Sequence, residues 1–137
     1  MPAHLGGTVI RVVAGVIIED GRILICQRQA GRFGAHQWEF PGGKVEPGEE
    51  PQGCLRRELK EELGIDAVIG PELYRITHHY PDRSVDLAFY RVEAYEGRPV
   101  NREFKTLQWV ERNWLGHFDF LEADRSFIRA LEAGWLP

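Results

Sequence analysis

The stretch Pro51-Gln52-Gly53-Cys54-Leu55-Arg56-Arg57-Glu58-Leu59-Lys60-Glu61-Glu62-Leu63-Gly64 constrains the fold more than any other part of the chain. Leu55, Leu59 and Leu63 recur every four residues, which on an α-helix makes one apolar stripe. Pro51 suits the first helical turn and Gly64 the position just past the last one. The spacing predicts a helix over residues 51–63, with Glu50 at the N-cap, a weaker cap than Ser, Thr or Asp. A helix advances about 100° per residue. Glu58, Glu61 and Glu62 therefore share one face, and burial of the leucines fixes where that face points. Like charges at such spacings oppose the helix. A hard divalent cation such as Mg²⁺ relieves the crowding, because it takes oxygen ligands and joins carboxylates to phosphates. Taken alone, carboxylates at this spacing are common on surface helices and favour a solvated face.

Two neighbouring features favour a site. Residues 41–50 are dense in Pro and Gly, which predicts an irregular loop whose backbone can approach a ligand closely. Arg57 adjoins the acidic face and can pair with Glu49 or Glu61, holding a carboxylate in place.

The rest of the chain alternates strands and helices. Thr8 to Ile18 is rich in β-branched residues, Glu19-Asp20-Gly21-Arg22 is a turn signal, and Ile23 to Gln27 returns, predicting a hairpin. A loop over residues 28–37 leads to a short strand at Trp38-Glu39-Phe40. Strands are expected over residues 72–80 and 85–95, joined by Pro81-Asp82-Arg83, and over residues 106–111. A closing helix is expected over residues 124–133, with Asp124 as its N-cap and Gly134 beyond its end. This order predicts an α/β fold: an α/β/α sandwich with a mixed β-sheet between helices. A length of 137 residues suits one domain spanning residues 1–137.

Charge and composition narrow the function. A net charge of −4 gives no basis for binding a nucleic acid polymer. No apolar run is long enough for a membrane helix, and residues 1–7 lack the pattern of a signal peptide. Cys26 and Cys54 lie in apolar stretches without metal-ligand spacing, as reduced core thiols in a cytoplasmic protein would. His78 and His79 are adjacent in a strand, so their rings point to opposite faces and make poor joint ligands.

Beyond the spacing of single residues, the whole pattern over residues 43–65 has a known counterpart. Gly43, Glu49, Arg57-Glu58, Leu59, Glu61-Glu62, Gly64 and Ile65 match the Nudix box at each defined position. The sequence resembles the Nudix hydrolases, and within them the MutT-like nucleoside triphosphate pyrophosphohydrolases. Trp38-Glu39-Phe40-Pro41-Gly42-Gly43-Lys44, Pro81-Asp82-Arg83 and Gln108-Trp109 extend the likeness, which runs from about Val12 to Ile128.

The resemblance implies the Nudix fold, with a loop-helix-loop carrying the metal. It implies metal ligands at the backbone carbonyl of Gly42 or Gly43 and at the side chains of Glu58, Glu61 and Glu62, with Glu103 as a further carboxylate on a late loop. It implies a phosphate contact at Arg28, further substrate contacts at Phe40, Lys44 and Arg83, and a base-reading side chain at Asp124. MutT-like 8-oxo-dGTP diphosphatases carry asparagine at that last position. Arg57 joins Glu58, Glu61 and Glu103 in the expected catalytic set, and any of those three glutamates can orient or deprotonate the attacking water.

The expected reaction is Mg²⁺-dependent hydrolysis of a (deoxy)nucleoside triphosphate to monophosphate and pyrophosphate, with Mn²⁺ as a possible substitute. An oxidised purine such as 8-oxo-dGTP is the expected substrate, which implies cleansing of the nucleotide pool. CTP or a modified dCTP is the alternative. A nucleotide-sensing module without turnover is the alternative of another class, and it predicts a missing box carboxylate; none is missing. The expected assembly is a monomer or small homo-oligomer.

Overall fold

In the computed structural model, residues 8–134 are described; the signal-peptide reading of residues 1–7 lies outside them. Strand β1 covers Thr8–Val16, β2 covers Ile18–Glu19 and β3 covers Arg22–Gln27. Asp20 and Gly21 both have positive φ, 53° and 76°, the backbone of a two-residue hairpin turn. The predicted hairpin is short, however. Only β2 pairs with β3 (Ile18 with Ile23, Glu19 with Arg22), while β1 leaves for another sheet.

Strand β4 is Trp38–Glu39 and β5 is Gly42–Lys44. The second of these corrects the expectation of an irregular loop. Val12, Val13 and Ala14 of β1 stand opposite Lys44, Gly43 and Gly42 in an antiparallel ladder, held by backbone groups that need no side-chain propensity. Helix α1 spans Pro51–Leu63 as predicted, with Pro51 in its first turn and Gly64 as a left-handed C-cap. Glu50 makes no side-chain cap bond.

Strands β6 (Asp66–Tyr80) and β7 (Arg83–Glu96) form a long antiparallel pair, and β8 is Thr106–Glu111. β6 begins six residues before the predicted start at Glu72. Register shifts between Val68 and Tyr74 carry it past Gly70 and Pro71, residues that weaken a strand reading. A 3₁₀ helix at Arg112–His117 was not expected, and helix α2 covers Arg125–Glu132.

The strands make two sheets. One has the order β5-β1-β7-β6, with β1 and β7 parallel and the other pairs antiparallel. In the other, β3 pairs with β2, β4 and β8. Period-two alternation sends successive side chains to opposite faces. Val13, Leu24, Cys26, Ala88 and Tyr90 pack with Leu55, Leu59 and Leu63 of α1. Ala14, Ile23, Ile25, Leu87 and Phe89 pack with Phe127, Ile128 and Leu131 of α2. One helix thus covers each side, which is the predicted α/β/α sandwich. Complete burial of the α1 leucines, at about 1.5–3 kcal/mol each, fixes the rotation of the helix and so where the carboxylates beside the stripe point, with Glu61 outward and Glu62 inward. Both cysteines are buried and free.

Candidate active site

A cleft of about 600 Å³ opens between α1, the edge where β5 meets β1, and the start of β7. Its rim is made by residues 28–37, by the loop before β8, and by the turn before α2. Gly42, Gly43, Glu58, Glu61, Glu62 and Glu103 line one part of it. Arg28, Phe40, Lys44, Arg83 and Asp124 also line it. Of the expected catalytic, metal and substrate residues, Arg57 alone does not line the cleft, and it acts on it through other side chains.

Arg57 is the organiser of the acidic face. Its Nε and Nη2 donate to Glu49 Oε2 and Oε1 at 2.7 and 3.0 Å, a bidentate fork. Its Nη1 donates to Glu58 at 3.1 Å and to Glu61 at 3.3 Å. The expected pairing with Glu49 or Glu61 is thus made with both. The fork holds the Glu49 carboxyl down to about 2. Glu46 and Glu49 close the turn ahead of the helix through their backbone groups and the Glu49 side chain.

Glu62 turns inward from α1 and is buried. It accepts a hydrogen bond from the Gly42 N–H at 3.2 Å. Burial, followed by the charges of Glu58 and Glu39, pushes its carboxyl up to about 9. Burial also raises Glu58, opposed by Arg57 and reinforced by Glu61. Two partly desolvated carboxyls on adjacent turns resist sharing negative charge. A hard cation with oxygen ligands relieves that conflict, so the residues present fit one. Among the described residues, no three His, Cys, Asp or Glu side chains converge as a preformed metal site.

Glu103 reaches the cleft on the loop before β8. That loop is docked on the end of α1: Val100 N–H donates to Leu63 O at 2.8 Å and Arg102 N–H to Glu62 O at 3.1 Å. Asn101 folds the loop by accepting from the N–H groups of Glu103 and Phe104. The carboxylate itself pairs with Arg32 at 3.0 Å.

Another part of the cleft is differently made. Asp124 ends a 3₁₀ turn, Glu122–Asp124, and has helical backbone angles with no side-chain cap bond. The expected capping role is therefore corrected: the residue stands at the N-cap position but its carboxyl points elsewhere. It is only 4% exposed, and its Oδ2 has no hydrogen-bond partner. Burial, then the nearby Glu39, raises its proton affinity well above the ordinary value. Glu39 is itself raised by burial, against the pull of Arg28. Arg28 donates through Nη1 to Glu39 at 2.9 Å and through Nε to Phe33 O at 2.9 Å. Arg83 stacks over the Phe33 ring at 4.9 Å, and Phe33 meets Tyr80 edge-on. Phe40 is almost wholly buried and stacks on Phe120, so it offers the cleft a wall more than a contact.

Glu39, Arg32, Phe33 and Tyr80 were not among the site residues expected from the sequence. Glu39 had a readable signal: a carboxylate between Trp38 and Phe40 in a short strand facing the core. Arg32 and Phe33 depend on loop geometry, and Tyr80 on the tertiary position of the end of β6, which spacing does not encode.

This fold and cleft define the class as a Nudix-type hydrolase, with acidic residues of a loop-helix-loop gathered at the edge of a mixed sheet. A family model for the NUDIX domain matches residues 9–131, and the chain belongs to that family. It is 41% identical over 125 residues to an 8-oxo-dGTP diphosphatase of Haemophilus influenzae, covering 90% of this chain and 91% of that one. It is 36% identical over 124 residues to a CTP pyrophosphohydrolase of Escherichia coli, covering 90% and 92%. The solution structure of the E. coli ORF135 protein superposes with a TM-score of 0.82 at 36% identity, over 91% of this chain and 89% of that one. Hydrolases of this family use a divalent metal and act on nucleotides. Among the described residues no helix is long and apolar enough to cross a membrane.

Proposed function

We propose that this chain hydrolyses (deoxy)nucleoside triphosphates to the monophosphate and pyrophosphate with Mg²⁺, preferring an oxidised purine such as 8-oxo-dGTP. Its role is then removal of damaged nucleotides from the precursor pool. The observation that carries the reading is the buried Asp124 carboxyl oxygen, unpartnered and lining the same cleft as the acidic helix face. A buried polar atom without a partner is costly and is relieved by a ligand that supplies the missing donor. An 8-oxoguanine offers N7–H as a donor that guanine lacks, beside N1–H and the amino group.

Glu58, Glu61, Glu62 and Glu103, with a carbonyl of Gly42 or Gly43, would hold the metal. When bound, the metal supplies charge neutralisation at the phosphates and lowers the pKa of a water. Arg57 keeps Glu58 and Glu61 in place. One of Glu58, Glu61 or Glu103 takes the proton from the attacking water. The new P–O bond replaces a phosphoanhydride bond, and pyrophosphate leaves. Arg28, Lys44 and Arg83 bring positive charge to the cleft beside its carboxylates. Mn²⁺, another oxygen-preferring cation, fits the same donors.

A second reading has its own support. Aspartate at position 124 also accepts the cytosine amino group, and the CTP pyrophosphohydrolase is a relative at 36% identity. A panel of 8-oxo-dGTP, dGTP, CTP, dCTP and 5-methyl-dCTP at low concentration separates the two. The highest kcat/KM on 8-oxo-dGTP supports the first reading; the highest on a cytosine nucleotide supports the second.

A further inference from the structure

Arg28 is expected to meet the phosphates, yet two of its guanidinium nitrogens are already bonded, to Glu39 and to the Phe33 carbonyl. Its side chain is 21% exposed. Arg32, four residues on, is differently placed. It lines the same cleft and is 50% exposed, and its ion-pair partner is Glu103 at 3.0 Å, itself 44% exposed. Its charge also favours the charged form of the half-buried Glu39, after the larger effects of burial and Arg28. Arg32 is thus a half-exposed cation on the cleft wall, tied to the carboxylate of the loop before β8.

The loop that carries Arg32 is tied at its base. Arg28 N–H donates to Gln37 O at 2.9 Å, His36 N–H to Arg28 O at 3.1 Å, and Gln37 N–H to Gly34 O at 2.9 Å. The tip reaches the opposite rim through the Arg32–Glu103 pair. A half-exposed ion pair is worth little and is readily exchanged. Both members have a better partner in a loaded site. A carboxylate gains more from a divalent cation, and a guanidinium gains a bidentate contact from a phosphate.

We propose that Arg32 is a phosphate-binding residue of this chain, held across the cleft by Glu103 until nucleotide and metal arrive. On loading, the pair exchanges: Glu103 turns to the cation and Arg32 to the phosphates. This rests on the nucleoside triphosphate reading above. In the free protein the same pair withholds Glu103 from metal.

The exchange makes two effects of Arg32→Ala opposite in sign. Binding of α,β-methylene dGTP in Mg²⁺, measured by calorimetry, is expected to weaken about tenfold or more, with Arg32→Lys recovering part of it. Binding of Mn²⁺ alone, measured by water proton relaxation, is expected to tighten severalfold because Glu103 is released. Glu103→Gln is the converse: weaker Mn²⁺ binding, and tighter analogue binding in metal-free buffer. A loop merely damaged by substitution does not produce opposed shifts. The inference is overturned if Arg32→Ala leaves both affinities unchanged or moves them in the same direction. Failure of the unsubstituted protein to bind this analogue and its cytosine counterpart overturns the triphosphate reading as well, which separates the two failures.

Discussion

Gly43 lies directly beneath the Glu58 carboxyl: a β-carbon built at Gly43 falls 2.4 Å from Glu58 Cδ and 2.5 Å from Oε2. No side chain larger than hydrogen fits unless Glu58 moves. At Gly42 the obstacle is backbone instead, since a β-carbon there falls 2.0 Å from Val13 O on β1. Neighbouring glycines thus serve different ends, one the carboxylate's position and the other the β5–β1 ladder.

The two substitutions should separate. Gly43→Ala is expected to displace Glu58 and lower metal-dependent turnover by about 10–100-fold, the effect of disturbing the support of a metal ligand, with little change in Tm. Gly42→Ala is expected to destabilise the fold by about 1–3 kcal/mol, as overpacking does. Thermal melts and turnover on both proteins check this. Equal losses of Tm would show that the Glu58 contact has no separate role.

Arg57→Lys keeps the charge but loses the fork to Glu49 and the reach to Glu58 and Glu61. Turnover should fall about 10–100-fold, as when a residue orienting metal ligands is lost. The Mg²⁺ concentration for half-maximal rate should rise. A magnesium titration that leaves both values unchanged would reduce Arg57 to a surface ion pair.

Asp124 gives a pH-dependent stability whose sign is set by burial. Its folded-state pKa is raised above the ordinary value by desolvation, then by Glu39. The folded state therefore binds the proton more tightly than the unfolded chain, and stability falls as pH rises from the unfolded pKa toward the folded one. Asp124→Asn lacks that penalty. Its Tm is expected to match the unsubstituted protein near pH 4 and to exceed it at neutral pH. A lower Tm at pH 7 would mean that the carboxylate is stabilised by a partner.

The same carboxyl should set base selection. The kcat/KM ratio of 8-oxo-dGTP to dGTP is expected to exceed one, and Asp124→Ala should narrow it, because a polar site rejects ligands that leave it unpaired. Asp124 makes no side-chain cap bond, so this variant should not lose stability as a missing cap would cause. An unchanged ratio would move base selection to the loop of residues 32–38.

Much of this was legible because periodic segments carry their own limits. Helix α1 ends where Pro51 and Gly64 said it would, and β8 falls on Thr106–Glu111 as read. Segments defined by distant partners were not legible. β5 is built from Gly42, Gly43 and Lys44, whose pairing depends on β1 thirty residues earlier. β6 continues through Gly70 and Pro71 only because β7 lies beside it. The box carboxylates could be placed on one face because they share a helix. The pairs Arg28–Glu39 and Arg32–Glu103 could not, since residue separations of 11 and 71 are closed by tertiary structure alone.

The most direct test of the central claim is pyrophosphate release from nucleoside triphosphates with Mg²⁺ and with chelator, for the unsubstituted protein and Glu61→Gln. The account predicts monophosphate and pyrophosphate in equal amounts with Mg²⁺ and none with chelator. Glu61→Gln should be more than about 100-fold slower, since it removes both charge and geometry at the metal, while still folding. Release of orthophosphate alone, turnover in chelator, or full activity of Glu61→Gln at limiting Mg²⁺ would contradict it.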